Sequence, residues 1–169
     1  LMGSWDGYYY MFNADTGELL WKFQTAGKPD SGYSMIYRGK CYLPVLDDKK
    51  FYVVDANTGE LLWVHPWHCN GSPAAHDGKV FVPLMQGGEA YTTKSSIACL
   101  DADTGAFVWQ YPGGGLTGPV IADGKVYFAS TGEPFFTCVD EKGNGDGTTT
   151  CYWTFKMGDR VQEACPAIY

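Results

Sequence analysis

The residues with the most chemical potential lie between 138 and 151. The run Asp140-Glu141-Lys142-Gly143-Asn144-Gly145-Asp146-Gly147 contains an Asn-x-Asp-Gly core like the middle of a calcium loop. Asp140, Asn144 and Asp146 are its candidate Ca²⁺ ligands. A complete loop of that kind also needs a carboxylate two residues before the Asn and a bidentate Glu further on. Lys142 takes the first place and a Thr-rich stretch follows, so a solvated acidic turn competes with the metal reading. Cys138 and Cys151 flank the same run on two strands of one hairpin. A disulfide between them would staple the loop, provided their Cα atoms come within ~7 Å.

Other groups are weaker. His65-Pro66-Trp67-His68-Cys69 offers soft ligands for a transition metal but no fourth donor, and Pro66 breaks the strand alternation. Cys41 and Cys99 stand where neighbouring repeats carry valine and read as small buried apolar residues. Cys69 and Cys165 precede first strands and could pair only in a small closed ring. Six cysteines leave the connectivity open. Asn70-Gly71-Ser72 is a glycosylation sequon, with Pro73 directly after it. Trp5 and Tyr8-Tyr9-Tyr10 could form an aromatic patch, although strand alternation assigns them first to packing. No Ser-His-Asp order, phosphate loop or paired catalytic carboxylate is recognisable.

The elements that must position these residues follow from composition and repetition. Of 169 residues, 45% are apolar, 16% aromatic and only 18% charged, with 22 glycines. That balance suits sheets joined by tight turns. The net charge of -7 argues against a nucleic-acid or anionic-membrane surface. No apolar stretch is long enough for a membrane-spanning helix, and Leu1–Trp5 lacks the charged start and apolar run of a leader. An even cysteine count and no Cys-x-x-Cys favour disulfides and an oxidising compartment.

One unit recurs along the chain. Ala14-Asp15-Thr16-Gly17-Glu18-Leu19-Leu20-Trp21 returns as Ala56-Asn57-Thr58-Gly59-Glu60-Leu61-Leu62-Trp63 and as Ala102-Asp103-Thr104-Gly105-Ala106-Phe107-Val108-Trp109. A degraded copy runs from Asp140 to Trp153. In phase with it, Pro73-Ala74-Ala75-His76-Asp77-Gly78-Lys79-Val80-Phe81 returns as Pro119-Val120-Ile121-Ala122-Asp123-Gly124-Lys125-Val126-Tyr127. Each period holds four short strands. Asp-Gly or Arg-Gly joins the first two, with glycine supplying positive φ, and Asp-x-x-Thr-Gly joins the last two. Four strands per ~40–50 residues is the signature of a β-propeller blade. A single four-stranded sheet cannot bury both faces, so Trp21, Trp63, Trp109 and Trp153 are assigned to packing between blades.

These units resemble the PQQ-like β-propeller repeat family. That family includes quinoprotein dehydrogenases and outer-membrane assembly scaffolds of the BamB type. The resemblance implies an all-β propeller of antiparallel four-stranded blades, docked through Trp21, Trp63, Trp109 and Trp153 with Gly17, Gly59 and Gly105. The expected blade segments are 1–27, 33–65, 72–111 and 118–157, with 165–169 as the first strand of another. Since such propellers usually close with seven or eight blades, a part of a larger propeller is the first reading. A closed four-bladed ring and strand exchange between chains are the alternatives. The implied role is a non-catalytic secreted, cell-surface or periplasmic scaffold, with protein partners or further blades and self-association through open edges. The rival is a PQQ-dependent dehydrogenase. Its pair of adjacent cysteines is missing here, and its calcium ligands and catalytic Asp have no recognisable counterpart.

Overall fold

The turns form for local reasons. Asp55 Oδ1 accepts the backbone N–H groups of Asn57 at 2.8 Å and Thr58 at 2.9 Å. Thr58 Oγ1 accepts the Glu60 N–H at 3.2 Å, and Gly59 takes φ +74°. Asp101 repeats the pattern with Asp103 and Thr104. Asn13 does so through its amide oxygen, at 2.9 and 3.0 Å from the N–H groups of Asp15 and Thr16. Only a side-chain oxygen at that reach is required, which is why Asn replaces Asp without changing the turn.

The other hairpin turn is tighter than glycine alone implies. Arg38-Gly39, Asp77-Gly78 and Asp123-Gly124 all have both central residues at positive φ. This is the type I′ geometry that matches strand twist. Asp tolerates the left-handed region, whereas Arg38 at φ +48° does so at a cost.

The computed structural model describes residues 1–29, 33–69, 71–85, 95–159, 161 and 166–168. Fifteen strands and no helix occur among the described residues. β1 (Met2–Ser4), β2 (Tyr8–Phe12) and β3 (Leu19–Gln24) form a three-stranded sheet. β4 (Met35–Tyr37), β5 (Lys40–Val45), β6 (Lys50–Asp55) and β7 (Leu61–His65) form a sheet in chain order. So do β8 (Ala74–His76), β9 (Lys79–Leu84), β10 (Ser96–Asp101) and β11 (Phe107–Pro112). The last sheet is β12 (Val120–Ala122), β13 (Lys125–Ala129), β14 (Phe135–Asp140) and β15 (Cys151–Lys156). Neighbours are antiparallel throughout. Residues 166–168 of the expected further strand are not in a strand.

Each sheet carries one irregularity that the repeats do not announce. The register between its last two strands shifts once, at Met11/Phe12, Val53/Val54, Cys99/Leu100 and Cys138/Val139. A bulge at this place bends and twists the outer strand just after the Asx turn.

The chain divides into two compact units, Leu1–Asn70 and Gly71–Tyr169. In the first unit, Tyr9 and Met11 of one sheet meet Cys41, Leu43, Val45, Tyr52 and Val54 of the next. In the second, Phe81, Ile97, Cys99 and Trp109 meet Val126, Phe128 and Val139. Each such aliphatic or aromatic side chain contributes about 1.5–3 kcal/mol on full burial. Cys41 and Cys99 sit inside these cores with no exposure, as small apolar residues do.

The Cys138–Cys151 disulfide expected from sequence is not formed; both thiols are free. The bulge is the reason. Cys138 lies opposite Trp153, while Cys151 lies opposite Val139. Adjacent strand residues point to opposite faces, so the two sulfurs are on different sides of the sheet. Cys41, Cys69 and Cys99 are also free, and Cys165 lies outside the described residues.

Candidate functional site

The recurring constellation is a tryptophan joint. In the first unit, β3 presents Trp21 to the turn after β6. Its Nε1–H donates to the Ala56 carbonyl at 3.0 Å. A Cβ on Gly59 would stand 2.8 Å from the indole, so glycine gives the ring its seat. Phe23, two residues on and on the same face, meets Tyr52 edge-on at 5.5 Å. Ala56 is fixed in turn by its N–H donating to Gly39 O at 2.9 Å.

The second unit repeats the joint with an addition. Trp109 Nε1–H donates to the Glu141 carbonyl at 3.0 Å. Gly143 replaces Gly59 as the seat, and a Cβ there would collide with the indole. The Glu141 N–H donates to Gly124 O at 3.0 Å. The longer loop then folds back over the outer strand. Gly147 pairs with Trp109, and the Gln110 N–H donates to Gly147 O at 3.1 Å. Trp109 is left with no exposure, whereas Trp21 is half-buried. Glu141, itself buried, meets His76 Nδ1 at 2.8 Å and ties β8 to the same turn.

The loop residues singled out from sequence are engaged in this structure. Asp140 Oδ1 accepts the Lys142 and Gly143 N–H groups, and its Oδ2 accepts the Tyr152 hydroxyl at 2.8 Å. Partial burial alone would raise the Asp140 pKa. The three donors outweigh it and hold the carboxyl below its ordinary value. Asn144 bonds Thr148 and Thr150, and Asp146 accepts the Thr148 hydroxyl at 2.6 Å, which holds its pKa down. Among the described residues, no group of three His, Cys, Asp or Glu side chains is placed to hold a metal.

His65 stacks on Trp67 at 4.3 Å, while Cys69 is fully buried away from solvent. Burial pushes the Cys41 thiol up to about 11 and that of Cys99 to about 12, so neither is a nucleophile at neutral pH. Asn70 lies outside the described residues.

Two further tryptophans rest on aromatic side chains of their own sheets. Trp63 packs within its own sheet against Tyr42 at 6.1 Å and Phe51 at 6.2 Å. Trp153 rests against Phe136 and Tyr127 but remains 43% exposed. The glycines differ likewise. Gly59 is seated under Trp21 and Gly105 is buried, whereas a Cβ on Gly17 would meet nothing within 4 Å.

Each unit also has a cleft beside the end of an outer strand. One of about 460 Å³ is lined by Trp5, Asp6, Gln24, Lys28, Asp47 and Asp48. The other, about 200 Å³, is lined by Tyr111, Ser130, Glu133, Phe135, Thr137 and Thr154. Sequence reasoning did not find either, because their walls come from turns with no repeated signature. The Trp-to-carbonyl bonds of Ala56 and Glu141 were also missed. Their one signal was the fixed place of those residues, directly after the Asx.

A family model described as "Outer membrane protein assembly factor BamB" matches residues 5–112 and, in a second alignment, 47–150. No curated protein matches the chain. Among solved structures, BamB from Moraxella catarrhalis is 21% identical with a TM-score of 0.70, over 92% of this chain and 44% of that one. A europium-containing methanol dehydrogenase is 14% identical with a TM-score of 0.73, over 93% of this chain and 39% of that one. The quinohemoprotein alcohol dehydrogenase of Comamonas testosteroni is 15% identical with a TM-score of 0.71, over 95% of this chain and 34% of that one. The likeness establishes a propeller-like all-β fold, and this chain spans less than half the length of these structures.

Proposed function

Because the chain belongs to the family of the outer membrane protein assembly factor BamB, we propose that it is a non-catalytic propeller scaffold that binds protein outside the cytoplasm. The observation that carries this reading is the apolar outer strand. Leu19 and Leu20 on β3 and Leu61 and Leu62 on β7 stand 46–55% exposed. Side chains of this size, repeated at one place in successive sheets, suit a protein contact surface. The net charge of -7 favours basic partners at the rim of that contact.

The second reading is a PQQ-dependent oxidoreductase, favoured by the structural likeness to methanol and alcohol dehydrogenases. The residues present do not fit that group. No two of the six cysteines are adjacent, and Cys41, Cys69, Cys99 and Cys138 are buried within the fold. The deciding experiment incubates the purified chain with PQQ, Ca²⁺, a primary alcohol and an electron-accepting dye. The scaffold reading expects no PQQ-dependent dye reduction and no PQQ retained on desalting. Dye reduction that requires PQQ would replace it with the enzyme reading. Crosslinking in cell extracts, compared with Leu20→Asp and Leu62→Asp variants, then tests whether the outer strands are the contact.

A further inference from the structure

One pair of facing residues has exchanged sizes between the two units. Counted from the Gly-Lys of the first turn and from the Asx residue, Leu43 corresponds to Phe128, Tyr52 to Thr137 and Asp48 to Glu133. Leu43 lies opposite Tyr52, and Phe128 lies opposite Thr137. Where the first unit has a tyrosine ring, the second has a cleft. We propose that this cleft receives the phenol ring of a tyrosine from a protein partner, with the Glu133 carboxylate accepting its hydroxyl.

Tyr52 shows what this place in the fold holds. Its ring is 7% exposed and meets Phe23 edge-on at 5.5 Å. Its hydroxyl donates to Asp48 Oδ2, four residues earlier, while Asp48 Oδ1 accepts the Lys50 N–H at 3.1 Å. Burial and then that hydroxyl bond push the phenol up to about 12, so it stays a donor at neutral pH. The chain thus carries its own example of a phenol seated between an aromatic wall and a carboxylate.

In the second unit the walls persist and the ring does not. Tyr111 stands where Phe23 does, two residues after the tryptophan, and Phe128 meets it edge-on at 6.1 Å. Thr137 is buried, and its side chain is too short to reach as far as the Tyr52 ring does. The space beyond it is the cleft of about 200 Å³ walled by Tyr111, Ser130, Phe135 and Thr137. An apolar cavity of about 150 Å³ accepts benzene, so a phenol fits by size. Glu133 lines the same cleft and is exposed. It precedes Thr137 by four residues, as Asp48 precedes Tyr52, and its side chain is one methylene longer.

The cleft lies between two complete four-stranded sheets of one compact unit. Thr137 shares a face with Val139, which packs with Val126 and Phe128 against Phe81 and Ile97 of the neighbouring sheet. Chemistry selects the occupant. A phenylalanine would fill the space and leave Glu133 without a donor. A lysine or arginine would have to bring its charge between Tyr111 and Phe135, whereas a phenol is neutral and loses little on leaving water. That the ring belongs to a protein partner rests on the scaffold reading above; the preference for a phenol does not.

The test titrates the ¹⁵N-labelled full chain with N-acetyltyrosinamide, N-acetylphenylalaninamide and p-cresol, read by amide NMR shifts. The tyrosine amide is expected to bind in the millimolar range and to move the Gly113, Ser130 and Thr137 amides. The phenylalanine amide should bind about tenfold more weakly, the size of one hydrogen bond to a charged acceptor. Glu133→Gln, at an exposed position, should shrink that preference. Thr137→Tyr puts the ring of the first unit into the second and is expected to abolish binding and raise the melting temperature. If that variant does not fold, Glu133→Gln still decides. No shifts at the cleft amides overturn the proposal, as does equal binding of the two amides. Binding of p-cresol without the tyrosine amide would assign the cleft to free phenols and overturn the partner's tyrosine. PQQ-dependent dye reduction would instead remove the scaffold reading and leave the measured phenol preference standing.

Discussion

Trp21 and Trp109 make the same joint and differ in how well it is sealed. Both donate to the carbonyl that follows an Asx residue, at the same 3.0 Å. Around Trp21 the receiving turn is five residues long and stops short of the ring, which stays half-buried. Around Trp109 the turn is longer, and Gly147 pairs with the tryptophan's backbone along β11. The extra residues add nothing to the hydrogen bond. They remove water from the indole, and the area covered differs while the polar contact does not.

The sharpest test of that difference is truncation. Trp109→Ala is expected to cost about 3–5 kcal/mol, the range for fully buried large-to-small changes. Trp21→Ala should lie near or below the bottom of that range. Equal losses in urea unfolding of the two variants would show that loop cover contributes nothing.

A paired glycine substitution comes next in size. Gly59 and Gly17 have nearly the same φ, +74° and +72°. Ala at either place carries a left-handed strain of about 1–2 kcal/mol. At Gly59 the new Cβ also meets Trp21 at 2.8 Å, so Gly59→Ala is expected to destabilise the protein more than Gly17→Ala. If the two melt at the same temperature, Trp21 does not rest where the joint requires.

Acid should act on the sealed joint through its loop. Hydrogen bonds hold the Asp140 and Asp146 carboxyls below the ordinary 3.8. A depressed folded-state pKa contributes stability that is fully present above the unfolded value and is lost as pH falls through the folded one. Fluorescence of Trp109, read in a variant lacking the other tryptophans, is therefore expected to change as pH drops below about 4. Asp140→Asn should flatten that change. Asp55 is lowered by the Thr58 and Asn57 N–H groups, so the first unit also weakens in acid, but with no loop to release from its ring.

The smallest effect lies at Arg38. It holds a type I′ position that Asn or Gly fills more readily. Arg38→Asn is expected to raise stability by about 0.5 kcal/mol, a visible shift in thermal unfolding.

The repeats made much of this legible. The Asx-x-x-Thr-Gly and Asp-Gly strings encode turns through side-chain oxygens and glycine φ, and both are local. The period of the tryptophans gave the sheets. What sequence hid is set by register and by neighbours. The bulge at Cys138/Val139 leaves no mark in residue type, yet it put Cys151 on the wrong side of the sheet for a disulfide. The exposure of Trp153 is equally invisible in its residue type. The oxygens of the acidic run at 140–147 bond within the loop, a pairing that its composition does not announce.

That loop shows where the architecture accepts new material. Its flanking strands keep the register, bulge and acceptor carbonyl of the shorter turns, although several residues have been added between them. The hairpin crest is thus a permissive graft point, and peptides spliced at the corresponding crests after β2, β6 or β10 should be displayed without disturbing the sheets that carry them.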